Sequence, residues 1–322
     1  MIIPVLLFAL GLVLLIKGGD WFVDGATGIA KRSKLPDIVV GATVVSIGTT
    51  LPEVMVSTTG AVQGLSSMAY GNAIGSIICN TALIAAISIA FNPGPVNTKS
   101  MRMPVIFFFS SAAVYCIAAY LLGKFPRIIG IIMLAICLVY LFLTVHQGMK
   151  NPDSVEVEEE EETKEHPLWL ELIMLVGGAA LIAVGAKLLV DNGTLIAQAL
   201  KVPETVIALT FVALGTSLPE LVTTITSLRK GHAQLGIGNV IGANVFNLVL
   251  VSGVSVTIAP FAVPEGKLLF GQNASLVLDI PLMLCVMLLM CVPALVKKKL
   301  SRWQGIILLA IYVAFVTFQF FV

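Results

Sequence analysis

Charged side chains are scarce in this sequence. Asp, Glu, Lys and Arg together make up 11% of its 322 residues, whereas 58% are hydrophobic. Soluble domains carry about a quarter charged residues, so an ordinary soluble domain is excluded. The composition instead predicts an integral membrane protein.

Cysteine and histidine are also few, and their positions exclude several kinds of site. All five cysteines lie in apolar stretches without close Cys or His ligand spacing, which excludes a disulfide framework and a zinc site. The three histidines fall near the edges of the apolar stretches. The sequence therefore has no buried imidazole to activate a nucleophile or relay protons, and we expect neither an enzyme nor a cofactor.

Apolar stretches of about 20 residues, the length that crosses a bilayer as a helix, recur along the whole chain. They predict an all-α integral membrane protein with ten transmembrane helices. The ten stretches lie approximately at residues 3–30, 37–62, 67–91, 103–122, 126–147, 168–199, 204–228, 233–260, 274–296 and 303–321.

The distribution of Lys and Arg predicts the orientation in the membrane. The N-terminal stretch MIIPVLLFAL has no basic region before its apolar run, so we expect a retained first span rather than a cleaved signal. With the N-terminus outside, most Lys and Arg residues lie on the cytoplasmic side. On the outer side lie only Lys124, Arg127, Lys201 and Lys267. We expect a multi-pass protein of the cell (inner) membrane with both termini extracellular or periplasmic.

The chain contains an internal duplication. A single offset aligns GATVVSIGTTLPE (41–53) with ALTFVALGTSLPE (208–220), and GNAIGSIICN (71–80) with GNVIGANVFN (238–247). Near the ends of the two halves, RIIGIIMLAI (127–136) and RWQGIILLAI (302–311) align at a slightly larger offset, which indicates a short insertion late in the second copy. Each half is therefore a copy of the same unit.

The duplication predicts the domain organisation. The first half covers residues 1–147, a glutamate-rich cytoplasmic linker covers 148–167, and the second half covers 168–322. Each half holds five spans, an odd number, so the second half must enter the membrane from the opposite side. Inverted repeats of this kind are typical of secondary transporters. The linker composition indicates a solvated segment, with a calcium-sensing role as the less favoured alternative.

Each repeat places a proline and a glutamate inside an apolar stretch. Pro52 has no N–H to bond the carbonyl of Gly48, and Pro219 leaves the carbonyl of Gly215 free in the same way. Freed carbonyls and carboxylates are tolerated in a membrane only when they are buried in protein or line a polar cavity. We predict discontinuous helices near the midplane, each with carbonyls, hydroxyls and one carboxylate within a turn.

The predicted site offers oxygen ligands only. Glu53 and Glu220 supply two carboxylates, and nearby side chains supply neutral oxygens. These side chains are Thr49, Thr50, Ser76, Asn80, Thr216, Ser217 and Asn247. Hard cations prefer oxygen ligands, and two carboxylates match the charge of one Ca²⁺ or two Na⁺.

A purely structural explanation of the glutamates is available. A glutamate beside a proline could belong to a kinked helix, with a neutral carboxyl hydrogen-bonded to a neighbouring span. Two copies at equivalent positions, each followed at the same spacing by GNxxG, favour a cation site instead.

The paired motifs resemble a known family. GTTLPE and GTSLPE, followed by GNAIGSIICN and GNVIGANVFN, are similar to the alpha-repeats of the Na⁺/Ca²⁺ exchanger family in the calcium:cation antiporter superfamily. The resemblance implies that Ca²⁺ is held by Glu53, Glu220 and the backbone oxygens of Thr49 and Thr216. It implies Na⁺ sites formed by Ser46, Thr50, Ser76, Asn80, Ala213, Ser217, Ala243 and Asn247, with Ser46 and Ala213 acting through carbonyls. It also implies that the first span of each repeat slides against the other helices.

The sequence departs from the prokaryotic pattern of that family in three places. Thr50 stands where serine is usual and keeps the hydroxyl, whereas Ala243 lacks the hydroxyl that its counterpart Ser76 carries. Asn247 stands where K⁺-dependent relatives carry aspartate, which argues against K⁺ cotransport. The linker is too short for the regulatory calcium-binding domains of animal exchangers.

The sequence thus predicts a secondary antiporter that exchanges Na⁺ for Ca²⁺ by alternating access. Two hypotheses stay open beside it: a Ca²⁺/H⁺ antiporter that uses the same glutamates, and, from another class, a cation channel. Discontinuous helices in an inverted duplication favour alternating access over a continuous pore. We expect small inorganic cations and the lipid bilayer as partners, no nucleic acid, and a single chain as the functional unit.

Overall fold

The computed structural model describes residues 2–33, 35–150, 167–199, 215–264, 268–269 and 271–319. Most of the predicted acidic linker lies outside these residues. So do Ala213 and the first part of the predicted seventh span. The described chain is helical, apart from three short strand pairs at helix ends.

The helices of the first half follow the predicted spans. In chain order the elements are α1 (Ile2–Ser33), α2 (Asp37–Val40), α3 (Ser46–Val62), α4 (Ser66–Cys79), α5 (Ala86–Phe91), β1 (Gly94–Pro95), α6 (Thr98–Cys116), β2 (Lys124–Phe125) and α7 (Arg127–Lys150). Wider π-helical turns continue the path at Gly41–Val45, Asn80–Ala85 and Ile117–Leu122. Helix α7 continues past residue 147, where the sequence predicts the linker to begin.

The second half repeats this order in the part that the structure describes. Its elements are α8 (Leu168–Ala199), α9 (Leu218–Arg229), α10 (Ala233–Phe246), α11 (Ser252–Ile258), β3 (Phe261–Ala262), β4 (Leu268–Leu269), β5 (Gln272–Asn273), α12 (Ile280–Lys297), β6 (Lys299–Leu300) and α13 (Arg302–Gln319). Here π-helical turns lie at Asn247–Val251 and Ser275–Asp279.

Eight of the described helical segments are long and apolar enough to cross a membrane. Residues 302–318 form a shorter apolar helix, and α9 is the described part of the seventh predicted span. The structure therefore supports a membrane protein with many helical spans, while ten remains the number that the sequence predicts.

The helix at Pro52 is less interrupted than the sequence predicts. Helix α3 runs from Ser46 to Val62 with Pro52 inside it, and the irregular part is the preceding π-helical turn, Gly41–Val45. Packed neighbours can support a proline within a membrane helix, because the loss is confined to one hydrogen bond. In the second half the chain does turn at Thr216 and Ser217, and Pro219 lies in the first turn of α9, where no N–H is needed.

Two of the strand pairs reflect the duplication. Strand β1 pairs with β6, with Gly94 opposite Leu300. Strand β2 pairs with β3, with Phe125 opposite Phe261. In the alignment of the two repeats, β1 of the first half corresponds to β3 of the second, and β2 of the first half corresponds to β6 of the second. The pair β1–β6 is therefore the counterpart of the pair β3–β2, as expected if the two halves fold alike.

The two long first helices of the halves, α1 and α8, pack backbone to backbone. A Cβ atom added to Gly18 would lie 2.9 Å from the carbonyl oxygen of Gly178, and one added to Gly178 would lie 2.8 Å from that of Gly18. Gly11 and Gly185 meet in the same way, at 2.9 and 2.8 Å. Small residues repeated along one helix face let membrane helices approach closely.

Ion pairs join α1 to the neighbouring helices. The Nε atom of Arg32 lies 2.8 Å from the carboxylate of Glu171, whose side chain is 7% exposed. The Nζ atom of Lys230, at the end of α9, lies 2.7 Å from the carboxylate of Asp24. These pairs hold one end of α1 against α8 and α9.

We expect Gly178→Ala to lower the free energy of unfolding by ~1–3 kcal/mol, since the added methyl group would overlap the backbone of α1. Gly177→Ala is the matched control. The nearest atom to its added Cβ is Cε3 of Trp21 at 4.0 Å, so this variant should unfold at or above the wild-type temperature. Thermal unfolding of the purified protein in detergent measures both. Equal shifts in the two variants would show that the α1–α8 contact is looser than described.

Candidate cation-binding site

The two predicted carboxylates are both buried in the helix bundle. Glu53 lies inside α3 and Glu220 lies in the first turn of α9, and each is 0% exposed. Thr50, three residues before Glu53 in α3, bonds the Glu220 carboxylate, so the two glutamates lie close together and their negative charges repel each other. The structure thus brings one carboxylate from each repeat into a single buried place.

Hydroxyl groups of the first repeat bond side chains of the second. The Oγ1 atom of Thr50 donates a long hydrogen bond of 3.5 Å to Oε1 of Glu220. Thr49, the residue before it, donates its hydroxyl to Oδ1 of Asn239 at 3.2 Å. Both threonines are buried. The turn before Pro52 therefore contributes directly to the surroundings of Glu220.

Most polar atoms at this place have no hydrogen-bond partner among the residues that the structure describes. They are both carboxylate oxygens of Glu53, Oε2 of Glu220, both amide atoms of Asn80 and of Asn247, and the Ser217 hydroxyl. An unpaired buried polar group costs about 1–3 kcal/mol, and an unpaired charge costs more. A cation bound between these oxygens would remove that cost.

Asn80 and Asn247 occupy equivalent irregular positions. Each is 0% exposed and is the first residue of a π-helical turn, Asn80–Ala85 or Asn247–Val251. Single π-helical turns within α-helices are frequent at functional sites, because they redirect side chains and carbonyls. The repeat thus reproduces both the amide side chain and the backbone feature that presents it.

Three of the other predicted residues, Ser46, Ser76 and Ala243, are also buried. Ser76 and Ala243 are 4% and 0% exposed, one turn before Asn80 and Asn247. The hydroxyl of Ser46 donates to the carbonyl of Thr43 at 3.3 Å. Thr216 is half-buried and donates its hydroxyl elsewhere, to Asn72 at 3.2 Å. Ala213 lies outside the described residues.

Three residues that the sequence analysis did not select also lie here. Asn239 and Asn72 accept hydrogen bonds from Thr49 and Thr216, the threonines three residues before the two prolines, and the signal for them was the asparagine in each GNxxG motif. Cys79 is buried one residue before Asn80, and its sulfur accepts a hydrogen bond from the Tyr312 hydroxyl at 3.7 Å. Nothing in the apolar surroundings of Cys79 in the sequence distinguishes it from the other cysteines.

The fold and this site define a class of protein: a polytopic membrane protein whose helix bundle encloses two carboxylates and a set of neutral oxygens. The family model described as sodium/calcium exchanger protein matches residues 3–146 and 170–321. The chain belongs to this family. The resemblance predicted from the paired motifs is confirmed.

Individual relatives match over nearly their whole length. The sodium/calcium exchanger MaX1 of Methanosarcina acetivorans is 30% identical, over 98% of this chain and 98% of its own. The putative antiporter CaxA of Alkalimonas amylolytica is 32% identical, over 99% and 98%. A solved structure of the sodium-calcium exchanger NCX_Mj, soaked with Na⁺ and Sr²⁺, has a TM-score of 0.81 at 33% identity and covers 98% of each chain.

We expect Glu53→Gln to stabilise the cation-free protein in alkaline choline buffer by ~1–3 kcal/mol, since it removes one of two repelling buried charges. The stabilisation should appear as a higher unfolding temperature. Glu171→Gln is the matched control, because this buried carboxylate is paired with Arg32. The control should unfold at a lower temperature than the wild type. Destabilisation by Glu53→Gln would mean that protein groups already compensate the Glu53 charge.

Proposed function

We propose that the protein is a secondary antiporter that exchanges Na⁺ for Ca²⁺ across the membrane by alternating access. The observation that carries the proposal is the pair of fully buried carboxylates, Glu53 and Glu220, one from each repeat, with the Thr50 hydroxyl of the first repeat bonded to Glu220 of the second. Their unpartnered oxygens in the described part of the chain call for a bound cation rather than for another protein group. Membership of the sodium/calcium exchanger family supports the same conclusion.

The oxygens divide between the two ions. Ca²⁺ is held by the Glu53 and Glu220 carboxylates with the carbonyls of Thr49 and Thr216. Na⁺ sites draw on the remaining neutral oxygens: Ser46, Thr50, Ser76, Asn80, Ala213, Ser217, Ala243 and Asn247. Once Ca²⁺ neutralises both carboxylates, further cations would be held in a low dielectric without counter-charge, so Ca²⁺ and Na⁺ exclude each other.

The charge of the site also limits leakage. An empty site carries two bare carboxylates, and moving them between two solvent-accessible states without a cation is costly in a membrane. The protein should therefore change state when loaded with Ca²⁺ or Na⁺ and remain fixed when empty. Obligatory exchange follows from that restriction.

In this proposal ten spans form two inverted five-helix repeats, residues 1–147 and 168–322, joined by the cytoplasmic linker. The pair β1–β6 corresponds in the repeat alignment to the pair β3–β2, which supports the equivalence of the halves. Both termini lie outside the cell membrane, and one chain is the functional unit. Helices α1 and α8, which pack glycine to glycine, slide against the other helices.

Transport into liposomes tests the function. We expect an outward Na⁺ gradient to drive uptake of radioactive Ca²⁺, and Glu53→Gln or Glu220→Gln to reduce its rate by at least about tenfold, or ~1.4 kcal/mol. Asp191→Asn is the control, because it makes the same carboxylate-to-amide change at an exposed ion pair with Lys187; it should retain uptake.

The same vesicles separate the two antiport hypotheses. An outward proton gradient at equal Na⁺ should drive no Ca²⁺ uptake beyond that of empty liposomes. Uptake with the proton gradient alone would assign the protein to Ca²⁺/H⁺ exchange. Uptake that neither gradient accelerates would contradict antiport altogether.

The amide at position 247 leads to a separate prediction about K⁺. Since Asn247 lacks the charge of an aspartate, we expect Ca²⁺ uptake to keep its rate, within about twofold or ~0.4 kcal/mol, when choline replaces all K⁺ on both sides. A loss of uptake in choline that added K⁺ restores would show that the protein couples to K⁺ in spite of the asparagine.

A further inference from the structure

The two asparagines of the GNxxG motifs make equivalent contacts across the repeats. The Thr49 hydroxyl, on α3 of the first half, donates to Oδ1 of Asn239, on α10 of the second, at 3.2 Å. The Thr216 hydroxyl, of the second half, donates to Oδ1 of Asn72, on α4 of the first, also at 3.2 Å. The offset that relates the two repeats carries one pair onto the other.

We infer that Asn72 and Asn239 are positioning residues that hold the cation-binding turn of the opposite repeat. The inference rests on the proposed function, in which the carbonyls of Thr49 and Thr216 are Ca²⁺ ligands. Neither asparagine is itself placed among those ligands. Each acts through the threonine whose hydroxyl it binds.

The threonines require such support because each precedes a proline by three positions. Pro52 cannot donate to the Gly48 carbonyl beside Thr49, and Thr216 lies in the turn before α9, so at each threonine the backbone lacks part of the hydrogen bonding of a regular helix. A threonine in a helix can also donate its hydroxyl back to its own backbone. Thr49 has such an acceptor in the Ser46 carbonyl at 3.4 Å. The shorter bond to Asn239 draws the hydroxyl away from that carbonyl and fixes the turn to the other half.

Asn72 makes more hydrogen bonds than Asn239. The Nδ2 atom of Asn72 donates to the backbone carbonyl of Glu53 at 3.1 Å and to the Ser57 hydroxyl at 2.8 Å. In the described residues, Nδ2 of Asn239 has no partner, and neither does the hydroxyl of Thr224, the counterpart of Ser57. Asn72 thus ties Glu53 and Thr216 together through one amide, and its loss should have the larger effect.

The direct test measures Ca²⁺ binding to purified protein, with radioactive Ca²⁺ as the probe, so that it does not depend on transport. We expect Asn72→Ala and Asn239→Ala to raise the dissociation constant about five- to tenfold, or ~1–1.4 kcal/mol, with the larger rise for Asn72→Ala. Asn244→Ala is the matched control. It also removes a buried amide–hydroxyl bond, to Thr81 at 2.7 Å, but one that involves neither Thr49 nor Thr216, so its affinity should stay at the wild-type value.

Pairwise variants separate positioning from general loosening of the fold. We expect little further loss of Ca²⁺ affinity when Thr216→Val is added to Asn72→Ala, because the two residues share one interaction. The same holds when Thr49→Val is added to Asn239→Ala. The exchanged combinations, Asn72→Ala with Thr49→Val and Asn239→Ala with Thr216→Val, should multiply their single effects. Multiplication in all four combinations, or unchanged affinity in both asparagine variants, would overturn the inference.

Two further measurements keep the outcome decisive. If an alanine variant does not fold, the near-isosteric Thr216→Val and Thr49→Val remove the same bonds from the other side and should each weaken Ca²⁺ binding; unchanged affinity in both would overturn the inference. In vesicles, the asparagine variants should raise the half-saturating Ca²⁺ concentration more than they lower the maximal rate. Wild-type protein that binds Ca²⁺ but shows no Na⁺-driven uptake would contradict the proposed function and leave the binding test of the asparagines intact.

Discussion

The mutual repulsion of two carboxylates buried in one membrane protein is the constraint on which the rest of the structure depends. Glu53 and Glu220 come from opposite halves, are fully buried, and have oxygens without partners in the described part of the chain. A low dielectric magnifies both the repulsion and the attraction to a cation. The same arrangement therefore lowers the stability of the empty protein and provides the affinity for Ca²⁺ in the proposed exchange.

The surrounding fold brings the two charges together and keeps neutral oxygens beside them. Pro52 removes one backbone hydrogen bond inside α3, π-helical turns begin at Asn80 and Asn247, and asparagines of each half accept hydrogen bonds from threonines of the other. Each of these features would weaken an ordinary helix. They are tolerated because neighbouring helices supply the contacts that the local backbone lacks.

The long helices α1 and α8 form a different kind of contact. Glycines on both helices let the two backbones touch, so α1 and α8 are closely joined to each other. A closely packed helix pair can move as one body against the helices around it. Ion pairs at one end, Arg32 with Glu171 and Lys230 with Asp24, fix the position described here. This division suits the proposal that α1 and α8 move while the cation site stays intact.

The sequence by itself determined the membrane class, the duplication and the main site residues, because a carboxylate or proline in an apolar span is costly unless it has a use. Repetition at a fixed offset then distinguished the glutamates from accidental kinks. Only the tertiary structure decided that the helix continues through Pro52, since packing against other helices, not local propensity, governs a single missing hydrogen bond. Only the tertiary structure revealed that Asn72 reaches Thr216 and Asn239 reaches Thr49, because contacts between residues far apart in the chain depend on how the two halves dock.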